Sequence, residues 1–200
     1  MGIRDQRKME TSRKIQAVAL DLVEEFGLEA TTVARIAEKV GISERTFFRY
    51  FDSKEAAIVP GQGEITEALT SVEIAEGATP AEILQQMIQR CHKHILSEVD
   101  QGASSRIASI MLNEPKLLLI ATRREQELVV ELRDSLRERG LVTGMQGVLI
   151  AELIASMWRV TWQTYTHAQV AGGQQAPSDV FEIIVKEMAQ ISSGFAGGAQ

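Results

Sequence analysis

The chain has little of what several protein classes require. Its single cysteine, Cys91, excludes an internal disulfide and is consistent with a reducing compartment. Its longest unbroken apolar run extends only from Leu117 to Ala121, whereas a membrane helix needs about 20 apolar residues. Residues 1–14 are polar and charged, without the apolar centre of a secretory signal. These absences predict a cytoplasmic globular protein that does not span a membrane.

Motifs of enzymes and metal sites are also missing. The sequence contains no GxSxG, HExxH or CxxC pattern, and residues 61–63 (Gly-Gln-Gly) lack the third glycine of a dinucleotide-binding loop. Cys91, His92 and His94 lie within one helical turn, but a metal sensor needs three or four converging ligands. We therefore expect no enzymatic activity, no cofactor and no bound metal, and keep a helical enzyme or metal-binding bundle as a minor alternative.

The formal net charge of −6 is distributed unevenly along the chain. Residues 1–60 hold ten Lys/Arg and ten Asp/Glu, whereas residues 61–200 hold eleven against seventeen. The first residues form a basic arm, whose cationic members are Arg4, Arg7, Lys8, Arg13 and Lys14. A basic arm on a neutral domain can contact phosphate while an acidic remainder faces elsewhere, so the charge permits DNA binding by the N-terminal part.

Helical periodicity dominates the rest of the pattern. Apolar residues from Ile15 to Phe26 recur at helical spacing on one stripe, and Gly27 follows as a stop. Helices are predicted at Val33–Val40, Glu44–Phe51, Lys54 to near Pro60, 80–99, 103–113, 115–139, 144–171 and 178–193, with breakers at residues 61–63 and 77–80. No segment alternates as a strand does. The predicted fold class is all-α.

Residues 31–51, TTVARIAEKVGISERTFFRYF, have the organisation of a helix-turn-helix. A first helix packs through Ile36 and Val40, and Gly41 suits the sharp turn. In the second helix Phe47 and Phe51 are four residues apart and face the core. The side chains left facing outward are Arg45, Thr46, Phe48 and Arg49. Two guanidinium groups, a hydroxyl and an aromatic ring are groups that read the major groove.

The segment from Thr32 to Lys54 matches the pattern T-x-x-x-IA-x-x-x-G-[IV]-S-x-x-[TS]-[FL]-[FY]-x-[YH]-F-x-[SN]-K. In this it resembles the DNA-binding domain of the TetR family over about the first 60 residues. The resemblance implies a helix-turn-helix DNA-binding domain at 1–60, with its motif at 32–51. It further implies a helical effector-binding and dimerisation domain at 61–200. The resemblance thus implies a dimeric transcriptional repressor that binds operator DNA.

The resemblance also implies which residues contact DNA: Thr32, Arg45, Thr46, Phe48, Tyr50 and Lys54. Thr32 and Lys54 lie at predicted helix N-termini, which favour phosphate. Arg45 is the candidate for a bidentate guanine contact, whereas Arg49 could lie on phosphate or in solvent. Phe48 stands where the family often has Tyr, which removes a hydroxyl that could reach phosphate.

The helix predicted at 144–171 is apolar over most of its circumference, so it must be buried on two sides. One side can pack in its own subunit, and the other needs a partner. The helix at 178–193 carries an apolar stripe that includes Phe181, Ile184 and Val185. We therefore expect a homodimer in which these two helices meet their symmetry mates.

Trp158, Trp162 and Tyr165 are spaced as a ladder on the first of these helices. They indicate either core and dimer packing or the wall of a pocket for a small apolar effector. The candidate pocket residues are Met87, His94, Met111, Asn113, Trp158, Arg159, Trp162 and Tyr165. The resulting hypothesis is a repressor that an effector releases from its operator. A DNA-binding dimer without a ligand is the alternative.

Overall fold

The computed structural model of the chain describes residues 3–59, 62–98 and 101–196. These ranges are helical and contain no strand, so the predicted all-α fold class is confirmed. The helices are α1 (Ile3–Ala30), α2 (Val33–Val40), α3 (Glu44–Phe47), α4 (Lys54–Ile58), α5 (Gln62–Thr70), α6 (Pro80–Glu98), α7 (Gln101–Asn113), α8 (Pro115–Glu138), α9 (Gly144–Val170) and α10 (Pro177–Ala196).

The long helices α6 to α10 follow the predicted ranges closely, and two short elements differ. The sequence prediction missed α5 because residues 61–63 were interpreted as a breaker. Its buried Ile65 and Leu69 stabilise a helix that its glycine-containing start disfavours. The helix predicted at Glu44–Phe51 ends at Phe47 as α3. The following residues continue as tighter turns, in which the amide of Tyr50 donates to the carbonyl of Phe47 at 2.8 Å.

The chain divides into two compact units, of which the first consists of Met1–Pro60 and Gly102–Ala121. We call this the N-terminal unit. Its core contains the fully buried side chains of Ile15, Leu20, Leu28, Ile36, Phe47, Ile58 and Leu117. The sequence predicted a first domain of residues 1–60, and the structure adds 102–121 to it. The reason is that Ile110 and Leu117 complete the apolar core around α1.

Polar contacts also join α7 and the start of α8 to α1. The guanidinium of Arg106 donates to carboxylate oxygens of Asp21 at 2.7 Å and of Glu24 at 2.7 and 2.8 Å. The Glu114 carboxylate accepts from the backbone N–H of Leu28 at 3.2 Å, directly after the break that Gly27 makes in α1 with its φ of 79°. These contacts fix the end of α1, from which α2 follows.

The second unit, which we call the C-terminal unit, consists of Gly61–Gln101 and Thr122–Gln200. In it α9 packs against α10 and α6, and α5 packs against α6. Its core includes the buried side chains of Ile65, Leu69, Ile83, Met87, Leu132, Leu136, Ile154, Trp158 and Phe181. Within the described ranges, no helix has the length and apolar character that a membrane crossing requires.

Candidate nucleic-acid interface

The first helix of the motif, α2, is closed at both ends by its own sequence. At its start the Thr32 hydroxyl accepts from the backbone N–H of Arg35 at 3.2 Å, so Thr32 is the N-cap. At its end Gly41 adopts a left-handed conformation with a φ of 83°, and its N–H donates to the carbonyl of Ala37 at 2.9 Å. The chain therefore reverses at Gly41 and enters α3 after two further residues.

The second helix, α3, is held by a cap on one side and by aromatic packing on the other. The hydroxyl of Ser43 accepts from the backbone N–H of Thr46 at 3.1 Å, and the two hydroxyl oxygens are 2.9 Å apart. Phe47 is completely buried, with its ring 6.0 Å from that of Phe51. Burial of Phe47 directs the opposite face of α3 toward solvent.

Arg45 on the outward face of α3 is exposed, and so are Phe48 and Arg49, which follow the helix directly. Phe48 is 52% exposed, and its ring is perpendicular to that of Phe47 with the centroids 5.6 Å apart. Tyr50 is half-buried beside this face. Three of the four predicted groove-reading side chains are thus exposed, whereas Thr46 is half-buried with its hydroxyl beside that of Ser43, and contacts of all four with DNA stay a prediction.

Lys54 has a second role that the sequence did not indicate. Its ammonium donates to the carbonyls of Leu28 and Thr31, each at 2.7 Å, and so joins the start of α4 to the end of α1. The ammonium of Lys14, a member of the basic arm, likewise donates to the carbonyl of Val40 at 3.0 Å. Both contacts satisfy carbonyls at helix ends, where a cation also interacts favourably with the helix dipole.

The remaining side chains of the basic arm are available at the start of α1. Arg7, Lys8 and Arg13 are exposed, and the side chain of Arg4 lies outside the described residues. An exposed arm of this kind supplies phosphate contacts without base specificity. The predicted base-reading groups lie in α3 and in the turn that follows it, and base readout by them stays a prediction.

The eight predicted pocket residues are divided between the two units. Met111 and Asn113 belong to the N-terminal unit, where Met111 packs on the core around α1. The Asn113 amide donates back to the carbonyl of Ser109 at 2.9 Å. α7 thus contributes apolar side chains to the core around α1, and a place for Met111 and Asn113 in an effector pocket stays a prediction.

The other candidates lie together in the C-terminal unit. The rings of Trp158 and Trp162 are 5.5 Å apart, and those of Trp162 and Tyr165 are 5.9 Å apart, both pairs edge to face. Trp158 is 4% exposed and belongs to the same core cluster as Met87, and the His94 ring lies 6.0 Å from it. The ladder is therefore part of the packed core of this unit.

Arg159 on the same helix is exposed, and its Nε donates to the Glu125 carboxylate at 2.8 Å. The guanidinium that the sequence assigned to an effector thus joins α9 to α8, and its contact with an effector stays a prediction.

The cysteine–histidine cluster on α6 does not form a metal site in the described ranges. No three His, Cys, Asp or Glu side chains among those residues converge as ligands. Cys91 is buried, and this burial raises the pKa of its thiol to about 12. A thiol with this pKa stays protonated, and it is the thiolate that binds metals and reacts.

Comparison with known proteins identifies one family model and one individual protein that resemble this chain. Residues 15–57 match the model of bacterial regulatory proteins of the tetR family. The HTH-type transcriptional regulator TcmR of Streptomyces glaucescens is 29% identical over 165 residues, which cover 74% of this chain and 73% of TcmR.

Two solved structures share the fold. One is NalD of Pseudomonas aeruginosa, the secondary repressor of the MexAB-OprM multidrug efflux pump, with a TM-score of 0.51, 14% identity and coverage of 92% of this chain and 96% of NalD. The other is the fatty acid degradation regulator FadR of Bacillus halodurans, with a TM-score of 0.50, 15% identity and coverage of 87% and 92%. At these identities the likeness concerns the fold alone.

Proposed function

Because the chain is a transcriptional regulator of the TetR family and carries this family's DNA-binding domain, we propose that it represses transcription by placing the outward face of α3 in the major groove of an operator. The observation that carries this proposal is the exposure of Arg45 on α3 and of Phe48 and Arg49 directly after it. The capped and buried opposite side holds that face in place. Guanidinium groups and an apolar ring are the groups that recognise base edges in the major groove.

The test is selection of bound duplexes from a random library by the full chain, followed by transcription in vitro from a promoter that contains the selected sequence. We expect an enriched inverted repeat and a fall in transcript on addition of the protein. Failure to enrich any sequence would contradict operator binding. A rise in transcript would contradict repression and would show that the protein acts as an activator.

The exposed faces of α9 and α10 support a homodimer. The large apolar side chains that they leave exposed are Met145, Val148, Leu149, Val160, Ile183 and Ile191. An operator with two half-sites requires two recognition helices, which a symmetric dimer supplies. Val185 packs instead against the core of its own unit, so a substitution there would perturb the subunit itself.

The matched pair for this test is Ile183→Asp and Ile183→Leu, because Ile183 is 46% exposed. A charge in an apolar interface costs several kcal/mol unless it is paired. We expect Ile183→Asp to sediment as a monomer and to lose operator binding, whereas Ile183→Leu stays dimeric. A wild-type chain that is monomeric at micromolar concentration would contradict the interface.

For the effector we propose a small, largely apolar molecule that binds in the C-terminal unit next to Trp158 and Trp162. The support is the aromatic ladder on α9, of which Trp162 is only partly buried, together with the adaptable side chain of Met87 on α6. Ligand binding would then select a dimer whose recognition helices no longer fit successive major grooves.

Tryptophan fluorescence tests the location, since both tryptophans lie in the C-terminal unit. Acyl, aromatic and terpenoid compounds that release operator DNA should shift the emission at the same concentrations, and the shift should change in Trp162→Phe. Release of DNA without any change in emission would place the pocket elsewhere. If no compound releases DNA, the chain is the ligand-independent DNA-binding dimer.

A further inference from the structure

Phe48 is the apolar member of an otherwise polar recognition surface. It follows Arg45 by three residues, a spacing that places these two side chains on the same side of the helical turn, and the exposed Arg49 comes next in the chain. Phe47 is completely buried, whereas Phe48 leaves 52% of its surface in water. Removal of this apolar surface from water is favourable, and it occurs only when a binding partner covers the ring.

The ring is fixed in place before any partner arrives. Its centroid lies 5.6 Å from that of Phe47, with the planes at 88°, which is a favoured edge-to-face geometry. The backbone N–H of Phe48 donates to the carbonyl of Glu44 at 3.0 Å, so the residue closes the α3 turn. Contact with DNA would therefore require little further ordering of this side chain.

The chemistry of the ring selects the group that it can read. A phenyl ring has no hydrogen-bond donor or acceptor, so it gains nothing from the polar edges of the bases and cannot hydrogen-bond a phosphate. The apolar group that a base presents in the major groove is the C5-methyl of thymine. We propose that Phe48 is a specificity-determining residue that packs on a thymine methyl in each operator half-site. This inference rests on the proposed binding of operator DNA by α3.

The experiment removes one methyl group at a time. In the operator selected by the full chain, each thymine of a half-site is replaced by deoxyuridine, which keeps every hydrogen-bonding group. We expect one position at which wild-type protein binds about fourfold more weakly, the fold-change that corresponds to about 0.8 kcal/mol for one buried methyl. In Phe48→Ala the two duplexes should bind equally at that position. Phe48→Tyr should still distinguish them.

Phe26→Ala is the matched control, because it also removes an exposed ring from the N-terminal unit and should keep the fourfold ratio. Equal binding of thymine and deoxyuridine duplexes by wild-type protein at every position would overturn the proposal. So would a Phe48→Ala variant that still distinguishes them. Either result leaves operator binding itself intact, since that is measured on the unmodified duplex.

Discussion

Replacement of Lys54 by Met tests whether the start of α4 stabilises the DNA-binding unit through the end of α1. The substitution removes the ammonium and keeps most of the hydrocarbon stem. Two carbonyls, those of Leu28 and Thr31, then lose a donor that lies 2.7 Å away. Hydrogen bonds to charged groups contribute about 1.5–3 kcal/mol each when buried, so for this half-buried pair we expect a total loss of about 2 kcal/mol.

Hydrogen exchange followed by mass spectrometry measures this loss where it occurs. A destabilisation of about 2 kcal/mol accelerates exchange of the slowest amides of α1 and α2 roughly 30-fold. Lys39→Met, at an exposed position of α2, is the control and should exchange like wild type. Urea unfolding followed by tryptophan fluorescence, which reports on the C-terminal unit, should not change in either variant.

The prediction would be refuted if Lys54→Met exchanged no faster than Lys39→Met in these helices. The ammonium of Lys54 would then be available to bind phosphate, as the resemblance in sequence implies. The salt dependence of operator binding separates the two roles. If Lys54 contacts a phosphate, the variant should reduce the steepness of log K against log salt by about 0.9. If its role is purely structural, the slope should be the same as for wild type.

Three further predictions concern the same units. Gly41→Ala has open space around its added Cβ but retains a φ of 83°, so it should destabilise the N-terminal unit by about 1–2 kcal/mol. Hydrogen exchange of the α1 and α2 amides measures this loss, and unchanged exchange would show that the turn can relax. Arg106→Ala removes the guanidinium that binds both Asp21 and Glu24, and it should lower the free energy of unfolding by about 1 kcal/mol at low salt and by less at high salt. A loss that does not depend on salt would indicate that Arg106 contributes through packing. Cys91 should not react with an aromatic disulfide reagent at pH 8 until urea unfolds the chain, because burial raises the pKa of its thiol to about 12. Fast reaction of the native protein would contradict that burial.

The motif could be predicted from the sequence because its determinants are local. Caps, turn glycine and aromatic spacing all lie between Thr32 and Phe51, and each reflects the backbone within a few residues. The long helices α6 to α10 were predicted for the same reason, since their apolar periodicity repeats over many turns. α5 was missed because Gly61 and Gly63, before and at its start, outweighed the two apolar residues that stabilise it only through tertiary packing.

The parts that could not be predicted depend on contacts distant in sequence. The Lys54 ammonium meets carbonyls 23 and 26 residues away, and Arg106 binds carboxylates more than 80 residues away. The assignment of α7, which carries Met111 and Asn113, to the N-terminal unit follows from such contacts. Periodicity shows that a helix has an apolar face, but it does not show which core receives it.

Binding of Arg45→Ala to operator and to random DNA tests most directly whether α3 reads the operator. Arg45 is exposed on the outward face of α3, where a guanidinium can bind guanine with two hydrogen bonds. We predict a loss of about 1–3 kcal/mol on operator and little loss on random DNA. Arg7→Ala, from the basic arm, should weaken both equally. An equal loss on both duplexes for Arg45→Ala would contradict base reading by this helix.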